Sequence, residues 1–262
     1  MSYLRCFVRV ILFTTALFFF FTFATLSILI CLGDLKKTRP FLIELVSLIS
    51  KIGLLLFGIK LKTNLQTIDL KKNYLFVSNH MSYLDILSMS SVLRTCFVTS
   101  LEMKKTPFLG QLCTLGGCLF VDRKNKRGLS KEVISLTNVL LSGLNITIYP
   151  EAKSTNGDKV HLFKRPLFQA AIDANVEIVP VCLNYIKLDG KKVTKKNRDH
   201  LFWYDDMSFF PHALKLFSKK NSEIELTFFP PIKATDYVDK NALAEKCYDV
   251  IFKNYVPIQD FQ

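Results

Sequence analysis

The residues best suited to catalysis lie in the segment Asn79-His80-Met81-Ser82-Tyr83-Leu84-Asp85. A histidine can act as a general base near neutral pH, and a carboxylate can hold its ring by the nitrogen that does not face substrate. His80 and Asp85 are five positions apart, so on one regular helix their side chains would point about 140° apart. The two side chains can therefore meet only if His80 lies in a turn before the helix.

The surrounding sequence predicts such a turn. Residues 74–78 form a strand candidate, and Ser82 is a suitable helix N-cap with an acidic residue three positions later. Capping alone also explains Asp85, so the carboxylate has two interpretations at this point. His80 would stand at the carboxyl end of a strand, where ligand crevices form in open α/β sheets.

The elements that must position this turn are read from the alternation of apolar and polar residues. The strand candidates, rich in β-branched and aromatic residues, are 74–78, 96–99, 118–122, 145–149, 178–184 and 224–229. The helix candidates, with apolar residues at helical spacing, are 84–93, 129–141, 163–174 and 242–252. This alternation predicts an α/β fold with a largely buried sheet flanked by helices. The lysine-rich segment 187–200 is predicted to be a surface loop.

The N-terminal region has a different pattern. Residues 10–33 contain no acidic or basic side chain. As a helix they would be about 36 Å long, enough to cross a hydrocarbon core of about 30 Å. The segment is longer than the apolar core of a cleaved signal peptide, and no clear small-x-small cleavage site follows it. We therefore predict a retained transmembrane helix.

The next apolar segment, 41–59, carries polar residues at three- and four-residue spacings: Glu44, Ser47, Ser50 and Lys51. This stripe predicts an amphipathic helix that lies in the membrane interface or packs on the first helix. An ordinary core helix is the alternative. The predicted organisation is a pair of membrane-anchoring helices in residues 1–60 and a catalytic domain in residues 61–262.

Four blocks of the sequence carry a family resemblance. They are Asn79-His80-x4-Asp85, Gly117-Cys118-Leu119-Phe120-Val121-Asp122-Arg123, Tyr149-Pro150-Glu151-Ala152-Lys153-Ser154 and Ile178-Val179-Pro180-Val181. In that order they are similar to the NHxxxxD, GxxFVDR, FPEGTR and VPV blocks of the glycerolipid acyltransferases typified by 1-acylglycerol-3-phosphate acyltransferase. The resemblance covers residues 79–181, and it implies a membrane-bound acyltransferase domain.

The same resemblance implies transfer of a fatty acyl group from acyl-CoA or acyl carrier protein (acyl-ACP) to the hydroxyl of a lysolipid. It makes His80 the general base and Asp85 its orienting partner, and it implies substrate-binding roles for Arg123, Glu151, Lys104 and Lys153. A thioester donor is already activated, so a base and a positioned acceptor can suffice. We accordingly expect no cofactor other than the donor substrate, and no metal.

The third block departs from the family pattern at Ala152, Lys153 and Ser154, which replace Gly, Thr and Arg. A guanidinium that binds phosphate by two hydrogen bonds is lost, and a point charge is gained. The preferred acceptor is 1-acyl-sn-glycerol-3-phosphate, which would give phosphatidic acid. Another lysolipid, such as a lyso-aminolipid, stays open, as does a non-catalytic lipid-binding scaffold.

Charge and cysteine content bear on the partners. Lys and Arg number 35 against 22 Asp and Glu, a formal charge of +13 that favours an anionic membrane surface or substrate. The basic residues are dispersed and no nucleic-acid-reading motif occurs, so we do not expect nucleic acid as a partner.

The seven cysteines form no C-x-x-C pair, and their odd number excludes complete internal pairing. Reduced thiols predict a catalytic domain on the cytoplasmic face of the membrane.

Overall fold

The computed structural model describes residues 2–122, 129–237 and 239–259. Its helices are α1 (Ser2–Ile30), α2 (Leu35–Phe57), α3 (Tyr83–Val92), α4 (Leu101–Lys105), α5 (Leu109–Leu115), α6 (Leu129–Leu141), α7 (Gln169–Ala174), α8 (Phe209–Ser218) and α9 (Lys240–Asn254). Its strands are β1 (Ile59–Thr63), β2 (Leu75–Ser78), β3 (Thr95–Ser100), β4 (Leu119–Val121), β5 (Asn145–Ile148), β6 (Ile178–Leu188), β7 (Lys191–Lys192) and β8 (Ser222–Phe228).

The strands form one mixed sheet in the order β1, β8, β6, β2, β5, β3, β4, and β7 pairs with β6. From β6 to β4 neighbouring strands are parallel, whereas β8 is antiparallel to β6 and parallel to β1. All four residues of β2 are buried, as expected for a central parallel strand covered on both faces. Since β2 and β5 are adjacent and parallel, the turns that follow them meet at one edge of the sheet.

The helices that cover the sheet form two contact groups. In one group α1 contacts α2, α5 and α8, and α2 also contacts α3. In the other, α6 contacts α7, and α6, α7 and α9 all contact the turn Pro166–Phe168. The predicted α/β fold with flanking helices is confirmed.

Local contacts define both ends of α2. The Asp34 carboxylate caps α2 by accepting hydrogen bonds from the backbone N–H groups of Lys36 and Lys37. At the other end Gly58 has φ +69°, and a Cβ there would lie 2.5 Å from the backbone oxygen of Lys220. Glycine is therefore required where α2 leads into β1.

Both N-terminal helices are long and apolar enough to cross a membrane, by length and composition. They differ in burial. In the apolar stretch of each helix, 6% of α1 but 39% of α2 is buried inside the protein. The predicted packing of this segment on the first helix is observed, but Ser47 and Ser50 are buried while Glu44 and Lys51 are exposed, so the four polar residues do not form one exposed face. The two serines turn inward because α2 packs against both α1 and α3.

The start of α1 is hydrogen-bonded to the C-terminal end of α8. Arg9 donates hydrogen bonds to the backbone oxygens of Phe217, Lys219 and Lys220, and Arg5 donates to that of Ser218. These carbonyl groups lie at the C-terminal end of α8, where a cation is favourable. The division at residue 60 stays a prediction; the first strand, Ile59–Thr63, spans that position.

Some elements differ from the sequence prediction. The helix predicted at 163–174 is divided into the turn Pro166–Phe168 and α7, because Pro166 lacks the N–H of a helix interior. The segment 187–200 is not a simple surface loop: β6 extends to Leu188, β7 follows, and Val193 is buried. Four further elements were not predicted from the sequence: β1, α4, α5 and α8.

Candidate active site

The turn between β2 and α3 brings His80 and Asp85 together. The His80 Nδ1 lies 2.8 Å from Asp85 Oδ2, which also accepts hydrogen bonds from the backbone N–H of Met81 at 2.6 Å and of Ser82 at 2.9 Å. The other carboxylate oxygen, Oδ1, accepts a hydrogen bond from the Tyr185 hydroxyl at 2.6 Å. Asp85 is completely buried, and each of its two carboxylate oxygens has hydrogen-bond partners within the protein.

The two interpretations of Asp85 turn out to be compatible. Ser82 and Asp85 form the capping box that begins α3, and the same Asp85 oxygen that caps the helix holds the His80 ring. Asp85 Oδ2 already accepts hydrogen bonds from two backbone N–H groups, so we assign Nδ1 of His80 as the donor of the third contact to this oxygen. The Nε2 lone pair is left available as a base, and the His80 side chain is 18% exposed.

Glu151, at the end of β5, fixes the backbone of the same turn. Its Oε1 accepts a hydrogen bond from the His80 N–H at 2.8 Å, and its Oε2 accepts one from the His161 N–H at 2.7 Å. Burial raises the pKa of Glu151 to about 7, opposed by these two hydrogen bonds and assisted by the nearby charge of Asp85. The observed contacts thus connect Glu151 to His80, and its predicted substrate contact stays a prediction.

Three further residues hold His80, and their roles were not predicted from the sequence. Tyr185 anchors Asp85 from β6, and Thr155 donates a backbone hydrogen bond to the His80 carbonyl oxygen at 2.9 Å. The Tyr149 ring stacks on the imidazole with centroids 4.2 Å apart and planes 16° apart. Tyr149 belongs to a recognised block, but no local pattern marks Tyr185 or Thr155, because their roles arise from the pairing of distant segments.

An apolar cavity of about 240 Å³ adjoins His80. Its walls come from α1, α2, α3, α5 and β3, and include Phe20, Ile49, Leu87, Leu112 and Val98. Its shape and chemistry suit a hydrocarbon chain. Tyr149 and Trp203 also line it, and in the described part of the chain the Tyr149 hydroxyl and the Trp203 indole N–H have no hydrogen-bond partner. Both groups can donate to a substrate oxygen.

Two of the other predicted substrate-binding residues, Lys153 and Lys104, are described in the structure. Lys153 is exposed and lies 4.0 Å from the Asp205 carboxylate. Lys104 lies over the Phe120 ring, with Nζ 5.0 Å from its centroid, although its neighbour Met103 lines the cavity. Arg123 lies outside the described residues. Among those that are described, no group of three or more His, Cys, Asp or Glu side chains is placed to hold a metal ion.

Comparison with known proteins gives a consistent result. The profile of the Acyltransferase family matches residues 59–184. The chain is 30% identical to 1-acyl-sn-glycerol-3-phosphate acyltransferase of Neisseria gonorrhoeae over 177 residues, which cover 68% of this chain and 67% of that protein. It is 28% identical to lyso-ornithine lipid O-acyltransferase of Rhizobium meliloti over 199 residues, 73% of this chain and 66% of the relative.

The fold has a counterpart among solved structures. The crystal structure of the 1-acyl-sn-glycerophosphate (LPA) acyltransferase of Thermotoga maritima superposes with a TM-score of 0.67. The superposition covers 97% of this chain and 96% of that one, at 15% sequence identity. The N-terminal helices are therefore included in the shared fold.

Proposed function

The chain belongs to the acyltransferase family and is an O-acyltransferase of the lysolipid type, and we propose that it transfers a fatty acyl group from acyl-CoA or acyl-ACP with His80 as the general base. The observation that carries this proposal is the His80 imidazole, held by Asp85 at 2.8 Å and bordering an apolar cavity. A base beside a hydrocarbon-sized cavity supports a reaction between a hydroxyl group and an acyl thioester.

The proposed reaction follows from this geometry. The Nε2 of His80 takes the proton of the acceptor hydroxyl as its oxygen attacks the thioester carbonyl carbon. The imidazolium is stabilised by the Asp85 carboxylate, and the developing oxyanion can accept hydrogen bonds from the Tyr149 hydroxyl or the Trp203 indole N–H. When the carbon–sulfur bond breaks, the imidazolium gives its proton to the leaving thiolate. The base is then restored without a covalent intermediate on the enzyme.

The apolar cavity is proposed to hold the acyl chain of the donor. Each buried methylene group contributes about 0.8 kcal/mol, so a cavity of defined length selects among chains of different lengths. Because residues of α1 and α2 form part of its wall, the cavity depends on the N-terminal helices as well as on the catalytic domain.

We also propose membrane attachment through α1 and α2, with the catalytic domain on the cytoplasmic face. Large apolar side chains are exposed along α1, including Phe7, Phe18 and Leu29. An apolar surface of this extent is typical of contact with lipid. Among the described residues all seven cysteines are free, which supports a reducing compartment for the catalytic domain.

The acceptor is proposed to be 1-acyl-sn-glycerol-3-phosphate, with Arg123, Lys153 and Lys104 contributing charge for its phosphate. Relatives of comparable similarity carry this substrate in their name. A lyso-ornithine lipid is the second candidate. Similar relatives carry that name too, and the altered Ala152-Lys153-Ser154 sequence favours an acceptor other than a simple phosphate monoester.

The proposal is tested with the full-length protein in mixed micelles. Labelled acyl-CoA and acyl-ACP are each offered with lysophosphatidic acid, lyso-ornithine lipid and a zwitterionic lysophospholipid, and the labelled diacyl product is measured. The matched control is His80→Ala. We expect product with the wild type and one preferred acceptor. The absence of product for every pair of substrates would reject the proposed reaction, and equal activity of His80→Ala would reject the assigned base.

A further inference from the structure

A second cavity, open to solvent, shares the lining residue Ala152 with the apolar one. It is a groove of about 630 Å³ whose lining includes Lys159 and Lys164. Lys153, the lysine proposed above for the acceptor phosphate, also lines it, next to Ala152. Ala152 lines both cavities, so the groove begins next to the reaction centre. We call it the lysine groove.

The local fold brings these lysines together. The N–H of Lys164 donates to the Pro150 carbonyl oxygen at 2.8 Å, and the N–H of His161 donates to Glu151 Oε2 at 2.7 Å. These bonds hold residues 159–164 against the loop that follows β5. The one acidic residue among the described lining residues is Glu151, and its carboxylate is buried against the two backbone amides. The open part of the groove is therefore positive.

The far wall of the groove is aromatic. Tyr248 and Phe252, one turn apart on α9, stack with their ring centroids 5.4 Å apart and their planes 24° apart. Phe163 supports Tyr248 from behind with an edge-on contact at 5.4 Å, while Phe252 is 52% exposed. An exposed aromatic ring beside lysines combines the two contacts that nucleotides use, base stacking and phosphate binding.

The groove and the lipid-facing surface are formed by different parts of the chain. Its residues come from the segment after β5 and from α9, whereas the exposed apolar residues of the membrane pair lie on α1 and α2. Because the groove is open to solvent and shares Ala152 with the apolar cavity, one molecule can place a water-soluble group in the groove and an acyl chain in the cavity. The lysolipid acceptor, in contrast, comes from the membrane.

We propose that the lysine groove binds the nucleotide end of acyl-CoA, with its phosphate groups on Lys159 and Lys164 and its adenine on Phe252. This inference rests on the proposed acyl transfer and names the donor. The pantetheine arm then passes Ala152, and the thioester lies at His80. Acyl-ACP has no adenine and a single arm phosphate, so it cannot use the aromatic wall.

The test compares two variants, Lys159→Gln/Lys164→Gln and Phe252→Ala, with the control Lys191→Gln/Lys192→Gln, whose lysines are exposed on β7. The donors are acyl-CoA and acyl-pantetheine, which carries the same thioester without phosphate or nucleotide. We expect the wild type to prefer acyl-CoA in kcat/KM. Each groove variant should raise the KM for acyl-CoA and thereby reduce that preference by about tenfold or more. The KM for the lysolipid should stay unchanged in both, and the control should keep the wild-type preference.

Direct binding gives a readout that does not need turnover. Adenosine 3′,5′-bisphosphate, titrated into the full-length protein by calorimetry, should bind the wild type and the control but bind each groove variant about tenfold more weakly or not at all. No binding to the wild type would overturn the proposal even if the enzyme is active. So would a higher lysolipid KM in the groove variants, which would assign the groove to the acceptor, or a wild-type preference for acyl-ACP over acyl-CoA. Absence of transfer from every donor would instead contradict the proposed function.

Discussion

The turn that contains His80 and the apolar cavity beside it are stabilised in different ways. In the turn, hydrogen bonds fix the positions: Asp85 is fully buried and accepts from His80, Met81, Ser82 and Tyr185. The cavity, in contrast, is lined mainly by apolar side chains from several helices and one strand. These side chains exclude water and enclose a space. Proton transfer requires atoms within hydrogen-bond distance, whereas an acyl chain requires space of the correct length. We therefore expect substitutions in the turn to reduce turnover, and substitutions in the cavity to change which chain is used.

The largest effect is expected at the catalytic pair. His80→Ala removes the base, and kcat should fall by about 10²–10⁴-fold. Asp85→Asn should also be severe, because the amide cannot accept all the hydrogen bonds of the carboxylate and favours the wrong imidazole tautomer. Turnover at saturating substrate measures the effect, and retained membrane binding and thermal unfolding show that His80→Ala is folded. If the turnover of His80→Ala were within a few-fold of the wild-type value, His80 would not be the general base.

Glu151→Gln is expected to lower kcat by about 10–100-fold with little change in substrate KM. Glutamine has a single acceptor oxygen, so the buried backbone N–H of either His80 or His161 loses its partner, at a cost of about 1–3 kcal/mol. A rise in KM without a fall in kcat would show instead that Glu151 contacts the substrate.

The same residue predicts a pH dependence of stability. Burial raises the pKa of Glu151 from its usual value near 4.5 to about 7. Between these values the folded state binds more protons than the unfolded state, so the free energy of unfolding contributed by this group falls as the pH rises. Thermal unfolding at several pH values should show a loss of stability from about pH 5 to pH 7 that is smaller in Glu151→Gln. Parallel curves for the two proteins would refute this assignment.

A substitution in the cavity should alter chain-length preference by about tenfold and leave the chemistry intact. Ile49→Trp narrows the cavity from α2, and exclusion of two methylene groups costs about 1.6 kcal/mol, or about tenfold in kcat/KM. The matched control is Leu48→Trp, on the same helix but 55% exposed. Competition between acyl donors of different length measures the effect. Equal loss with every chain length would show that the cavity does not hold the acyl chain.

The smallest effect is expected at the exposed lysines beside the site. Lys153→Thr and Lys104→Gln should raise the KM for a phosphate-bearing acceptor by a few-fold, because exposed charges are screened by water and salt. Lys105→Gln, next to Lys104 and also exposed, is the control. Steady-state kinetics at low and high salt measure the effect. An increase in this KM of more than a hundredfold, comparable in size to the effect of His80→Ala, would contradict the expectation that the exposed lysines matter less than the buried turn.

Much of the fold was predictable because it depends on local periodicity. The strands at β2, β5 and β6 and the helices at α3 and α6 agree with the predicted segments to within a few residues. Strand order was not predictable, since it depends on pairing between segments far apart in the chain. The short strand β1 was also missed. Apolar and basic residues alternate in Ile59-Lys60-Leu61-Lys62, but residue 59 was assigned to the preceding apolar segment 41–59, and the partner strand β8 is far away in the chain.

The sequence by itself determined the chemistry available at the site, because residue types and short spacings are local properties. Ser82 and Asp85, three positions apart, specify a helix start, and a helix starting there leaves His80 in the preceding turn. Only the tertiary structure decided which distant groups meet that turn. The pairing of β2 with β5 and β6 brings Tyr149, Glu151 and Tyr185 to His80 and Asp85. The packing of α1 and α2 against the domain encloses the apolar cavity, because a cavity needs walls from several elements and no single segment can specify it.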